Sequence, residues 1–212
     1  MNFAFPTANT QAAGTIITQV IPGRGNKRIK IRTIRYTSAG TAHTITIMTP
    51  LNVVKTSAAA AASQAVIVLV SDPGSYTGKT TANNLIGVSD FLVIKNATDG
   101  VQTLVQLHGS TAPVTNADGT VTVTLLANLA AAVPAGADVY FMGAIGDTNP
   151  HTGAAHQTLA PTVSTTTDFP LNTSLATDAV AVCSMLGGPV VVHSGNATAA
   201  GTFNNIAGTY GP

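Results

Sequence analysis

The sequence predicts an all-β protein, built as an antiparallel β-sandwich of the jelly-roll-like kind. Thr, Val, Ala, Gly and Ile dominate the composition and Glu is absent, a balance that favours strands over helices. Several short segments alternate apolar and polar residues, and clusters of Gly, Pro, Asn and Asp separate them. Helical segments are too few to connect parallel strands, so a doubly wound fold is disfavoured.

The clearest strand is Thr120–Leu125, which places its apolar residues on one face and its threonines on the other. His43–Thr49 begins with the same alternation. Ala65–Val70 is apolar throughout, so we expect it to form a buried central strand. The candidate strands are, in order, Thr15–Ile21, Lys27–Tyr36, His43–Thr49, Ala65–Val70, Phe91–Lys95, Val101–Leu107, Thr120–Leu125, Asp138–Met142, Ala179–Leu186 and Pro189–His193.

Two segments interrupt the β pattern. Leu125–Val133 has apolar residues at helical spacing and stops at Pro134, which predicts one short helix. The Ala-rich segment Thr56–Gln64 predicts a further helical turn or two.

We expect a single β-sandwich domain over residues 15–212, preceded by an N-terminal arm over residues 1–14. Residues 146–170 have almost no periodicity, which predicts an extended loop that reaches across a neighbouring subunit. The Asn- and Gly-rich residues 202–212 predict a C-terminal tail.

The chain is unusually poor in charge. Only 8% of its residues are Asp, Glu, Lys or Arg, against about 25% in an ordinary soluble domain. Most of the eight acidic residues, all Asp, sit beside Gly, Pro, Asn or Ser, as turn residues do. A surface with so little charge indicates that partner proteins cover much of it, or that Thr, Ser and Asn side chains keep it hydrated. The one cysteine, Cys183, lies in an apolar run and is interpreted as a buried thiol.

The N-terminal residues show no basic stretch followed by an apolar core, so we expect no signal peptide. No apolar run reaches the ~18 residues needed to span a bilayer. These features predict a protein made in a cytoplasm, not exported by the usual route, with no membrane partner.

The segment Ala65–Thr81 resembles a phosphate-binding loop, because an apolar run precedes a Gly-rich turn and Gly-Lys-Thr. The P-loop needs four residues between its glycines, and here Gly74 and Gly78 are separated by three. Pro73, which has no amide to donate, stands where the first glycine should be. A strand followed by a Pro-Gly turn accounts for this segment better than nucleotide binding.

Other catalytic patterns are equally weak. His151 and His156 lie near Asp147, but their spacing matches no recognised metal site. The sequence holds no G-x-S-x-G elbow, no H-E-x-x-H and no C-x-x-C. We therefore predict no catalytic residues, no cofactor and no metal, and a protein that is not an enzyme. A hydrolase of surface glycans remains the alternative from the enzyme class.

One charge feature stands out, because six of the nine basic residues fall within twelve positions. Arg28, Lys30 and Arg32 share one face of the predicted strand, and the apolar pattern slips in phase near Thr33, which predicts a β-bulge. The interpretations are an edge strand protected by charge, a face that docks an acidic protein, or a nucleic-acid contact. Nucleic acid is the least favoured, because no aromatic stacking set accompanies the cations. The candidate docking residues are Arg24, Lys27, Arg28, Lys30, Arg32 and Arg35.

This composition, with the runs Lys27–Thr49 and Thr120–Gly146, resembles bacteriophage virion proteins, most closely the capsid decoration (cement or head-auxiliary) proteins. The resemblance implies a homo-oligomer made in the host cytoplasm that binds the major capsid protein on the outside of a capsid. A shell-forming capsid protein and a tail or fibre component that binds a receptor are the structural alternatives. No family site residues are carried over.

Overall fold

A computed structural model describes the chain over eight ranges: residues 1–5, 9–11, 16–38, 44–72, 90–144, 166–170, 186–195 and 201–211. The chain divides into two compact units, where the sequence predicted a single domain. The first unit comprises Met1–Thr49 and Ala155–Pro212, and the second comprises Pro50–Ala154. No helix in the described ranges is long and apolar enough to cross a bilayer.

The described secondary structure is entirely of strands in antiparallel pairs, which confirms the predicted all-β class and is consistent with an antiparallel β-sandwich. The strands are β1 (Asn2–Phe5), β2 (Asn9–Gln11), β3 (Ile16–Ile21), β4 (Arg28–Ser38), β5 (Thr44–Lys55), β6 (Val66–Leu69), β7 (Phe91–Lys95), β8 (Gln102–Gln106), β9 (Val114–Thr115), β10 (Val121–Thr124), β11 (Asp138–Ala144), β12 (Thr166–Pro170), β13 (Val190–Gly195) and β14 (Gly201–Gly211).

Strand β14 organises a five-stranded sheet of the first unit. One edge of β14 pairs with β4 along its whole length, and the other edge pairs with β1 and β2. Strand β12 adds to the far side of β4. Residues 202–212, predicted as a tail, are therefore almost entirely a strand of this sheet. The prediction was wrong because Asn and Gly disfavour strands intrinsically, whereas here neighbouring strands on both edges supply hydrogen bonds.

The predicted bulge in β4 is confirmed. Between Ile31 and Thr33, β4 advances two residues while β14 advances only from Gly208 to Ala207. Ile29 and Ile31 before this point and Ile34 and Tyr36 after it are fully buried. Because a strand alternates its side chains, the extra residue at Arg32 is what keeps both apolar pairs on one face.

Strand β14 has a matching irregularity between Phe203 and Asn205. Phe203 and Ile206 are both buried, although they are three residues apart. Phe203 is the register partner of Tyr36, and the two rings pack with centroids 4.9 Å apart at 60°. The two irregularities keep the aromatic pair and the isoleucine row in one core layer.

A six-stranded sheet has the order β3-β13-β5-β11-β7-β8, and β5 is the strand in which the chain passes from the first unit to the second. A three-stranded sheet, β6-β10-β9, belongs to the second unit. Inward side chains of this sheet and of β7 and β11 form a shared core of the second unit, which includes Ile67, Leu69, Leu92, Val121, Val123, Val139 and Phe141.

The two predicted helices are absent, and this part of the prediction was wrong. Residues 56–65 and 125–137 instead bind each other through backbone hydrogen bonds about once every four residues. Ala60 and Val133 exchange both N–H···O bonds at 2.8 Å, and the amide of Leu129 donates to Gln64. Leu125, Leu129 and Val133 are consequently buried at helical spacing without forming a helix. Each amide bonded across the pair is unavailable for an intrahelical bond.

Ala65–Val70 is also not the buried central strand that we expected. Its described strand, β6, has one sheet neighbour, β10, and a bridge from Thr56 to Leu69 on its other side. Ile67 and Leu69 are buried, whereas Val66 and Val70 are 42% and 46% exposed. A continuous apolar run thus proves to be a half-buried strand with valines on its outer face.

The other predicted segments are described in part. The predicted arm contains β1 and β2, and the last five residues of the predicted 146–170 loop form β12. The rest of that loop, most of the candidate strand Ala179–Leu186 and Cys183 lie outside the described residues.

Thr56 offers a test of the paired segments that replace the helices. Its buried hydroxyl donates to the carbonyl of Pro134 at 2.8 Å and accepts from the amide of Ala137 at 3.0 Å. Thr56→Val leaves both partners unsatisfied, so we expect a loss of about 1–3 kcal/mol in the free energy of unfolding, measured in urea. Thr56→Ser keeps the hydroxyl and should cost about 1 kcal/mol or less. Equal losses in both variants would contradict this role.

A second test concerns the turn that leads into β4. A side chain on Gly23 would overlap the backbone carbonyl of Gly187, and the amide of Gly187 donates to Lys27 at 2.9 Å. Gly23→Ala should therefore lower the free energy of unfolding by roughly 1–3 kcal/mol. Gly211→Ala, with open space around its Cβ, should change it by less than about 0.5 kcal/mol. A Gly23→Ala variant as stable as the control would show that the close approach is absent.

Candidate docking face

The strand β4 separates charge from apolar residues completely. Its inward side chains, Ile29, Ile31, Ile34 and Tyr36, have no exposed surface. Four cations lie on its outer side, and we call them the basic face: Arg28, Lys30, Arg32 and Arg35. Arg32 and Arg35 are exposed, while Arg28 and Lys30 are half-buried. The bulge at Arg32 brings Arg35 to the same side as the earlier cations, which strict alternation would not do.

Strands β14 and β1, on one side of the basic face, contribute small, uncharged residues. Thr209 and Asn205 on β14 are in register with Lys30 and Arg35 of β4, respectively. On β1, the exposed residue Asn2 is in register with Thr209. Three aromatic residues of this sheet have described side chains, and all three are buried: Tyr36, Phe203 and Tyr210. The described side chains on this face are therefore cationic or small and polar, and none of them is an exposed aromatic ring.

Arg24 lies apart from this face. Its guanidinium carbon is 5.0 Å from the centroid of the Tyr210 ring, and its Nη1 donates to the Met1 sulfur at 3.5 Å. The Tyr210 hydroxyl donates to the carbonyl of Pro22 at 3.0 Å. Burial, the largest cause, raises the pKa of Tyr210, while Arg24 opposes that shift. Arg24 thus ties the N-terminus and the end of β14 to the turn before β4.

Lys27 is exposed and precedes β4 in the same turn. Of the six candidate docking residues, the structure thus brings four together on one face of a strand and leaves Arg24 and Lys27 at its beginning. Arg35 has a register partner, Asp168, on β12. Lys30 and Arg32 are consequently the residues best suited to mutational tests of the face.

The two units carry opposite formal charges. The first unit holds six Lys and Arg and two Asp, hence +4, and the second holds three Lys and six Asp, hence −3. These values agree with the +1 of the whole chain. In the second unit, Lys55 and Asp138 form an exposed ion pair of 2.8 Å, which neutralises both. The sequence holds this asymmetry, but it is visible only after the structure has shown where the units divide.

Two of the acidic residues of the second unit lie in hairpin turns, as their sequence context predicted, and each caps its turn. The carboxylate of Asp99 accepts from the amide of Val101 at 2.9 Å. That of Asp118 accepts from the amide of Thr120 at 3.0 Å and from its hydroxyl at 2.6 Å. Both carboxylates are on exposed residues. The hydroxyl and amide of Thr120 lower the pKa of Asp118, so this hairpin tip stays anionic.

The described residues offer little for chemistry. An open pocket of about 300 Å³ in the second unit is lined mainly by small apolar residues: Ala58, Ala59, Ala60, Gln64, Ala65, Val66, Ile67 and Val68. It contains no acid, base or nucleophile. The imidazole Nδ1 of His108 is bonded within its own turn, to Ser110 and Thr111. No group of three His, Cys, Asp or Glu in the described ranges could hold a metal ion. Pro73–Thr80, His151 and His156 lie outside the described residues.

The anionic hairpin tip gives a prediction about pH. The pKa of Asp118 is lower in the folded protein than in the unfolded chain, where about 3.9 is usual. Its stabilisation is therefore complete above the unfolded-state pKa and is lost as the pH falls through the folded-state pKa. We expect carboxyl NMR titration of Thr120→Val, which lacks the donating hydroxyl, to show a pKa closer to the ordinary value. An unchanged titration would contradict the capping geometry.

Comparison with known proteins adds little. No family model matches the chain, and no curated protein sequence matches it. Among solved structures, the chain resembles VP17, a capsid protein of bacteriophage P23-77, at 10% identity and a TM-score of 0.20, over 99% of this chain and 92% of that chain. It also resembles the VP16-VP17 complex of the two major capsid proteins of that phage, at 9% identity and a TM-score of 0.17, over 99% and 97%. At TM-scores this low the likeness carries no argument about fold or function.

Proposed function

We propose that this chain is a non-enzymatic structural protein of a bacteriophage virion, which decorates and stabilises the capsid through repeated contacts in an oligomeric lattice. The observation that carries the proposal is the basic face on β4. Four cations project from one side of a strand whose other side is fully buried. Fixed on a sheet, these charges form a preorganised surface for an acidic protein partner.

The amino-acid composition also supports a role as a subunit of a larger assembly. A chain with 8% charged residues lacks the usual means by which a free monomer avoids association. Low charge also suits large interfaces, because charged residues are depleted in the centres of protein contacts. Repetition of one modest contact over a lattice multiplies its effect through avidity.

A protein partner accounts for the basic face better than nucleic acid does. Single-stranded nucleic acid is bound by cations together with aromatic rings on which bases stack. Tyr36, Phe203 and Tyr210 of this sheet are on its buried side, away from the cations. The face therefore has the charges of a phosphate contact without the stacking platform.

The proposal is tested with heads of the phage that encodes the chain, stripped of their surface proteins. We expect the purified protein to sediment with these heads, and electron microscopy to show closed shells both with and without it. Lys30→Ser/Arg32→Ser should weaken binding about tenfold or more at physiological salt, since two steering charges are lost. The matched variant Lys55→Gln/Lys95→Gln removes the same charge from the second unit and should bind normally.

Other outcomes would overturn the proposal. Closed particles formed by the protein alone would identify it as the shell protein. Monomers that bind no head would exclude a decorating role, and equal weakening in both double variants would exclude the basic face as the docking surface.

A further inference from the structure

The second unit contains an exposed sheet surface that the function above does not use. The outward side chains of the three-stranded sheet are all valine or threonine, and we call them the Val/Thr face: Val66, Val68, Val70, Val114, Thr122 and Thr124. Val66, Val70 and Val114 are 42%, 46% and 57% exposed. Branched apolar side chains exposed together on a sheet are typical of a surface that another protein covers.

The acidic residues of this sheet are gathered at one of its ends. Strand β6 pairs antiparallel with β10, and Leu69 is in register with Val121. The end of β6 that leads to Asp72 is therefore the end at which β10 begins, next to the hairpin tip of Asp118. No Lys or Arg occurs in residues 66–72 or 114–124. The Val/Thr face is thus an uncharged surface with Asp72 and Asp118 at one end. Lys55, whose carbonyl accepts from the amide of Val70 at 2.9 Å, also lies at this end, and its ammonium is paired with Asp138.

The Asp118 tip is rigid as well as anionic. The side-chain amide of Asn116 donates to the hydroxyls of Thr120 and Thr122 at 2.8 and 3.0 Å, and the amide of Gly119 donates to the carbonyl of Asn116 at 3.0 Å. Asp118 itself accepts both bonds from Thr120. A charge held in this way is already in place for a partner and loses little entropy on binding.

We propose that the Val/Thr face and Asp118 of one copy receive the basic face of a second copy, so that copies of this chain join head to tail. The inference rests on the proposed assembly function and identifies its acidic partner as another copy. Units of opposite charge, +4 and −3, attract each other between copies. Such a contact uses two different patches, so by itself it generates closed rings or open filaments of copies.

The test measures self-association of the full chain by sedimentation velocity, without any capsid. We expect the wild type to associate in about 0.05 M NaCl and to dissociate in about 0.5 M NaCl, where screening shortens the reach of charge. Lys30→Glu/Arg32→Glu reverses the basic face, and Asp118→Lys reverses the charge of the Asp118 tip. Each should weaken association at least tenfold by itself, while an equimolar mixture of the two should recover the wild-type size distribution.

Asp99→Lys is the matched control, because Asp99 is also an exposed carboxylate that caps a hairpin turn but belongs to another sheet. It should associate like the wild type. If Asp118→Lys does not fold, as judged by circular dichroism, Asp118→Asn removes the charge and keeps an accepting oxygen, and it should still weaken association.

Each contrary result overturns the inference. A wild type that stays monomeric at low salt, a basic-face variant that associates normally, or a mixture that does not recover would each do so. Normal association by the folded Asp118 variant would show that the acidic patch lies elsewhere. Loss of head binding with intact self-association would sink only the proposed function, so the two failures are distinguishable.

Discussion

The antiparallel pairing of β4 with β14 is the constraint on which the first unit depends. It joins residues 28–38 to residues 201–211 and provides both edges on which β1, β2 and β12 are added. Contacts so distant in sequence are entropically costly to form, and they are held by the buried isoleucines and the Tyr36–Phe203 ring pair. Two irregularities in register let both strands keep their apolar residues in this layer.

The same pairing creates the candidate docking face. Burial of the isoleucine row leaves the cations of β4 on the other side, because adjacent residues of a strand point to opposite faces. The bulge at Arg32 preserves the core and, as a consequence, gathers Arg35 with the earlier cations. A single backbone feature therefore serves stability and surface charge together.

The second unit is built on a different kind of backbone pairing. Its Ala-rich segments, residues 56–65 and 125–137, form neither regular strands nor helices. They satisfy their backbone through sparse mutual hydrogen bonds and bury one residue in about four, such as Ala60, Leu129 and Val133. The three-stranded sheet beside them then exposes its valines, and with the Asp118 tip it forms a surface of opposite character to the basic face.

The sequence by itself determined the all-β class, Phe91–Lys95 to the residue, the bulge in β4, and the placement of Asp99 and Asp118 in turns. These features depend on alternation and on local hydrogen bonds, which a few neighbouring residues specify. Only the tertiary structure decided that residues 201–211 form a strand and that the valines of β6 face outward. It also decided that Leu125, Leu129 and Val133, four residues apart, belong to a segment paired with residues 56–65 and not to a helix. The physical reason is that each of these outcomes depends on partners distant in sequence: the neighbours of β14, the facing Ala-rich segment, and a core that covers only one side of β6.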